Sequence, residues 1–231
     1  MQVRARAESA PMKQSLPILL TFNGGYVDTA GFLAFQGLFT AHVTGNFVTL
    51  GAALVLGTGG IVNKLIALPV FCLVVALVRM LGLLFSARRW SELRLLLDLK
   101  FLLLLAGAAL VIWLGPFANG DAWPALVSGM TLVSAMAVQN AAQRLHLGSV
   151  PPTTLMTGNT TQLVIDLVDM FRGVSDILAN RTRLVRLAIT VAVFALGCGA
   201  AALLFSTVSM WCFAVPPVIA LMATLLRAES Q

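Results

Sequence analysis

Asp28 stands inside an apolar run, residues 16–39, that otherwise has the length of a membrane-spanning helix. A carboxylate within a bilayer is costly unless it is protonated, paired or wetted. It therefore marks a place where a proton or a cation can be taken up during transport. The alternative is a protonated Asp28 that caps a broken first helix. Gly24, Gly25 and Gly31 flank it and allow local unwinding or close helix contact. Sixteen residues further on comes Thr44-Gly45-Asn46. The phrase Thr40-Ala41-His42-Val43-Thr44-Gly45-Asn46 has a counterpart 113 residues later, Thr153-Thr154-Leu155-Met156-Thr157-Gly158-Asn159. A Leu follows four residues after each Asn, at Leu50 and Leu163. Ahead of the second copy, Gln139 and Asn140 lie 18 and 17 residues before Thr157, near the place that Asp28 holds in the first half.

Thr and Asn accept the free amide hydrogens of a first helical turn, and Gly lets the backbone turn or approach a ligand. A short helix that starts at such a turn aims unpaired N–H groups and positive partial charge along its axis. At mid-membrane that end favours an anion or the oxygen atoms of a polar solute. Asp28, Thr44, Gly45, Asn46, Gln139, Asn140, Thr157, Gly158 and Asn159 are accordingly the candidate substrate-binding set. The competing reading is a structural cap with no ligand. His42 can titrate near neutral pH. It reads equally as a partly wet loop residue, because the second copy has Leu155 there. His146 reads as solvated. Asp166 and Asp169 read as partners of Arg172, Arg181 or Arg183.

Catalytic machinery is not visible. The chain has no GxxxxGK[ST] loop, HExxH, GxSxG or dinucleotide fingerprint. Gly197-Cys198-Gly199 reads as small-residue helix packing. Cys72, Cys198 and Cys212 lie in apolar runs and read as buried, inert thiols, with neither a disulfide framework nor a zinc site. The expectation is a non-enzyme with no metal and no cofactor.

These residues must be positioned by a chain of 231 residues that is 59% hydrophobic and 10% charged, with a mean hydropathy of +0.93. Soluble domains carry roughly 25% charged residues. So much apolar surface calls for lipid as the solvent. The net charge of +6 does not point to nucleic acid, since no basic stripe carries interleaved aromatics. Six apolar runs approach spanning length: 16–39, 65–85, 95–117, 123–142, 187–205 and 208–226. The basic start before residue 16 resembles a signal peptide only briefly, and 16–39 reads as a retained first span. Two further segments, 45–56 and 158–171, are short, and both begin at Thr-Gly-Asn. At about 1.5 Å per residue the first reaches only about 18 Å.

If both short segments are re-entrant, Arg4, Arg6, Lys13, Arg88, Arg89, Arg94, Arg144, Arg172, Arg181, Arg183, Arg186 and Arg227 share the cytoplasmic side. Only Lys64 falls outside, with Asp121. That obeys the positive-inside rule better than eight full spans do. Three spans per half then invert the second half relative to the first. The expected organisation is a cytoplasmic tail (1–15), a first membrane repeat (16–117), a second (123–226) and a cytoplasmic tail (227–231), forming one integral membrane domain. Arg79 and Lys100 are expected to snorkel to the inner surface, the alternative for either being a substrate-binding role. Trp90, Trp123 and Trp211 are expected at the interfaces. Asn180-Arg181-Thr182 matches a glycosylation acceptor but falls on the cytoplasmic side.

Gly25-Tyr26-Val27-Asp28-Thr29-Ala30, Phe39, Thr44-Gly45-Asn46, Gln139-Asn140-Ala141 and Thr157-Gly158-Asn159 together resemble the YoaK family. The resemblance covers nearly the whole chain. It implies a bacterial inner-membrane protein of this size and supplies no substrate. The duplicated short segments are also similar in plan to aquaporin-type and formate-channel proteins, without the Asn-Pro-Ala turns of the former. The resulting expectation is an all-α membrane protein with six transmembrane helices plus two short re-entrant helices, built as an inverted internal repeat. It leaves room for a homodimer. Its expected function is passage of a small polar or anionic solute as a transporter or channel, with proton coupling through Asp28. The rival is a non-transport membrane protein, a sensor or assembly partner, whose turns are purely structural.

Overall fold

The computed structural model is all-helical over the residues it describes, 15–85, 91–173 and 177–228. The helices are α1 (Ser15–Ala34), α2 (Gly45–Leu56), α3 (Ile61–Phe85), α4 (Glu92–Leu114), α5 (Trp123–His146), α6 (Met156–Arg172), α7 (Ile177–Val208) and α8 (Val215–Ala228). A 3-10 turn, Ser209–Ala214, joins the last two. Arg4, Arg6, Lys13, Arg88, Arg89, Trp90 and the last three residues lie outside the described residues.

α1 stops at Ala34, short of the expected residue 39. Gln36 and Gly37 take positive φ values of 55° and 91° and turn the chain back. Only glycine adopts that region freely. Gln36 is held there by its side chain, which donates to Ala118 O (3.1 Å) and accepts from Gly120 N (3.0 Å). The following residues return alongside α1, where Asp28 Oδ1 accepts the amides of Thr40 and Ala41 at 2.7 Å each. α2 then runs outward for 12 residues to Gly57, which closes it at φ 66°. Gly60 sits against the carbonyls of Phe35 and Gln36, and Lys64 Nζ donates to Gly59 O at 2.9 Å. The excursion thus leaves at Gln36 and returns at Gly60 at the same end of the bundle, where α1 finishes, with the start of α2 drawn inward to Asp28. The α4–α5 loop joins them. Asp121 accepts the amides of Ile61, Val62 and Asn63 at 2.8–3.2 Å and so caps α3.

A second excursion starts from the opposite end. There the last residue of α5, His146, lies 3.5 Å from Glu92, the first of α4. Residues 147–155 fold back along α5. Gln139 Nε2 donates to Thr153 Oγ1 (3.0 Å), and the Thr154 hydroxyl donates to Asn140 Oδ1 (2.8 Å). α6 then runs outward. Arg183 on α7 grips buried Asp166 with two bonds, one of them 2.6 Å.

Each short helix packs on the helix after it, α2 on α3 and α6 on α7. α1 packs chiefly on α7, and α5 packs on α3 and α4. α8 lies against α1 and α4. The α1–α7 contact is close because it uses glycines. A Cβ on Gly25 would collide with the Phe194 carbonyl, and one on Gly197 with the Phe22 carbonyl. Gly199 has open space around it and takes no part. One core cluster holds Tyr26, Phe35, Leu104, Met136 and Phe213. A second, towards the Glu92 end, holds Leu16, Leu20, Leu97 and Val138. Tyr26 Oη donates to Cys212 O at 2.9 Å.

Among the described residues, four stretches are long and apolar enough to cross a bilayer: Ile61–Leu83, Glu92–Leu114, Trp123–His146 and Arg181–Leu226. The last is divided by the 3-10 turn, so the expected runs 187–205 and 208–226 appear as a 32-residue α7 and a 14-residue α8. The three cysteines are free, but only Cys212 is buried; Cys72 is exposed.

Candidate functional site

Asp28 is 4% exposed and acts as an anchor for the returning loop. Besides the amides of Thr40 and Ala41, its Oδ1 has the Thr40 hydroxyl and the His42 amide at 3.4 Å. Its Oδ2 lies 2.6 Å from His42 Nδ1. The backbone amides and the Thr40 hydroxyl donate to Oδ1, while Oδ2 and His42 Nδ1 share one hydrogen. The ring stands edge-on to Phe39 and Phe194, with centroids at 6.3 and 5.7 Å.

In the second half, Asn140 pairs with Thr154 as Asp28 pairs with His42, each over 14 residues. Asn140 Nδ2 donates to Met136 O. Gln139, 1% exposed, donates to Leu20 O at 2.9 Å as well as to Thr153. The two motif asparagines are buried loop clamps. Asn46 accepts from Phe39 N and donates to Phe39 O, both at 2.8 Å. Asn159 donates to Pro152 O at 2.8 Å. Both reach seven residues back.

The expected open helix end is absent at α2. Thr44 makes no side-chain cap bond. The amides of Gly45, Asn46 and Phe47 donate to the carbonyls of His42, Val43 and Thr44. α6 begins at Met156, so Thr157-Gly158-Asn159 lies within its first turn, where Thr157 and Gly158 are exposed. The amides of this turn that bond a carboxyl group are those of residues 40–42, and the group is Asp28.

The candidate residues divide between two cavities. His42, Thr44 and Asn140 line one of about 400 Å³, together with Arg79, Arg144, Leu155 and an apolar wall from α3. Asp28 and Gly45 line another, again with His42. Asn46, Gln139 and Asn159 hold the loops behind these walls. The two arginines are what sequence reasoning missed as site residues. Arg144 was legible, because it follows Asn140 by four residues and so shares its helix face. Arg79 was legible as a cation inside an apolar run, where a substrate-binding role was the alternative to snorkelling. Lys100 does not snorkel. It is 1% exposed, and its Nζ has no hydrogen-bond partner among the described residues. No group of three or more His, Cys, Asp or Glu that could hold a metal occurs among the described residues.

Four apolar stretches of spanning length, two short helices tucked beside them and an arginine-lined cavity between the returning loops define a helical chain of membrane-protein type. The family model for a protein of unknown function, DUF1275, matches residues 16–226, and the chain belongs to that family. No curated protein and no solved structure matches it.

Proposed function

We propose that this protein, of YoaK type, is an inner-membrane transporter or channel for a small polar solute, with an anion as the favoured class. The carrying observation is the cavity that brings Arg79 and Arg144 together with Thr44 and Asn140, one residue from each half. Two guanidiniums beside amide and hydroxyl groups are the chemistry that recognises a small oxyanion. Six spans are supplied by α1, α3, α4, α5, α7 and the last pair of elements, the 3-10 turn with α8. An inverted repeat is supported by the packing, since exchanging α1–α4 with α5–α8 maps each major helix pair onto another or onto itself. The opposed excursions of α2 and α6 support re-entrance. Exposed Trp113, Trp123 and Trp211 suit the interface at the Asp121 end, and the arginines suit the cytoplasm at the other. The bilayer covers the apolar residues left open on α2, such as Val48 and Val55. Asp28 and His42 are the pair through which a proton would couple to passage.

Flux of nitrate, formate and phosphate into proteoliposomes tests this. The parent should exceed empty vesicles for at least one anion. The double variant Arg79→Gln, Arg144→Gln should lose at least tenfold, since even one charged hydrogen bond contributes about 1.5–3 kcal/mol. Parent flux no faster than empty vesicles for these anions and for urea would remove the transport reading. One observation favours the rival: Asn46 and Asn159 clamp the backbone of their own loops, as in a sensor or assembly partner with structural turns.

A further inference from the structure

The second cavity, of about 490 Å³, lies on the other side of His42. Its α1 wall is Asp28, Thr29, Phe32 and Leu33. The α5 wall of the first cavity is Asn140, Ala141, Arg144 and Leu145. These match one for one at a constant separation of 112 residues. Phe194 and Cys198 of α7 close the second cavity where Val75 and Arg79 of α3 close the first. Both combine a helix face, the loop that returns along it (Leu155 in the first; Phe39, His42 and Gly45 in the second) and a helix from the other half of the chain, and the first also takes Ala41–Thr44 from the loop along α1.

They extend in opposite directions. From Asp28 to Leu33 the wall climbs towards the end of α1, where Asp121 caps α3. From Asn140 to Leu145 it descends towards His146 and Glu92. His42 is the one residue found in both linings. Its ring is tied to Asp28 at 2.6 Å and lies edge-on to Phe194.

We propose that the two cavities are halves of a single solute pathway and that the His42 side chain, held by Asp28, is the partition between them. This rests on the transport reading above. The solute is then a small anion or polar molecule that meets arginines in one half and an apolar wall in the other. Passage requires the ring to leave Asp28 and swing out of the gap. A discrete barrier between two vestibules is how pores and carriers prevent a continuous leak.

Sided labelling in sealed vesicles tests the partition independently of flux. Cys72, Cys198 and Cys212 are replaced by Ala, and single cysteines are placed by Leu155→Cys in the first cavity and Leu33→Cys in the second. A small membrane-impermeant methanethiosulfonate is applied from each side. With His42 intact, Leu155→Cys should react from one side and Leu33→Cys from the other. Adding His42→Ala should raise wrong-side labelling at both positions at least tenfold. Adding His42→Gln, which keeps a donor for Asp28, should leave labelling one-sided. The proposal is overturned if both cysteines react from the same side with His42 present, or if His42→Ala leaves labelling one-sided. A parent without flux that still shows opposed labelling released by His42→Ala would remove the transport reading and keep the partition.

Discussion

Asn46 and Asn159 hold equivalent places in the repeated phrase, yet they are not equivalent in energy. Asn46 satisfies both peptide groups of Phe39, whereas Asn159 bonds the carbonyl of Pro152, which has no N–H to offer, and donates weakly to Met156 Sδ at 3.8 Å. Asn46→Ala should therefore cost about 2–3 kcal/mol and Asn159→Ala about 1 kcal/mol, by the usual penalty for each polar group left unbonded. Thermal unfolding in detergent measures both, and the reverse order would contradict the clamp. Lys100 predicts a change of opposite sign. Its amine is enclosed between the apolar faces of α4 and its neighbours without a partner, so Lys100→Met should raise the melting temperature. The duplication was plain in the sequence, but the duty of each asparagine was not. Its bonding partner is a peptide group seven residues back, and only the folded shape of the loop puts it within reach. Asp28 stands out in the sequence as a carboxylate inside an apolar run. What its carboxylate touches, a run of three backbone amides, is invisible in residue types.

At the scale of elements, the apolar runs located most helices, because lipid-facing and core-facing residues alike must be apolar along a span. Their ends were less legible. α1 stops five residues early on account of Gln36, whose left-handed turn is secured by residues 118–120, more than 80 positions away. Nothing local announces such a stop. Nor did the last apolar stretch reveal its 3-10 turn, where Ser209 takes a φ of 51°. Two consequences can be measured. Asp121 is a cap supplied from another loop, so Asp121→Ala should destabilise the start of α3 by about 1–2 kcal/mol. Hydrogen exchange at Ile61, Val62 and Asn63 should quicken while that at α8 stays unchanged. Gly25 and Gly197 set how near α1 and α7 can come. Gly25→Ala would drive a methyl group into backbone, which no side-chain rotation relieves, so it should impair folding more than Gly199→Ala, which meets open space. Comparing the yields of monodisperse protein for the two variants tests this.

For the whole molecule, the proposed inverted plan rests on two facts of the sequence: a phrase repeated 113 residues apart, and charges that sort to one side only if the short segments do not cross. The cavities were not foreshadowed. They depend on which helix from one half closes against the loop of the other, and pairing across more than 100 residues leaves no mark in a single chain. Their walls also differ where the plan is the same. Phe32 stands where its counterpart is Arg144, and no lysine or arginine lines the second cavity, whereas Arg79 and Arg144 line the first. An anion approaching from the Glu92 end is concentrated by fixed positive charge before it meets the barrier, and one from the far end is not. The protein should therefore behave as a diode: in a voltage-clamped bilayer with equal salt on both sides, anion current should be larger for one polarity, and neutralising the two guanidiniums should make the current–voltage curve symmetric.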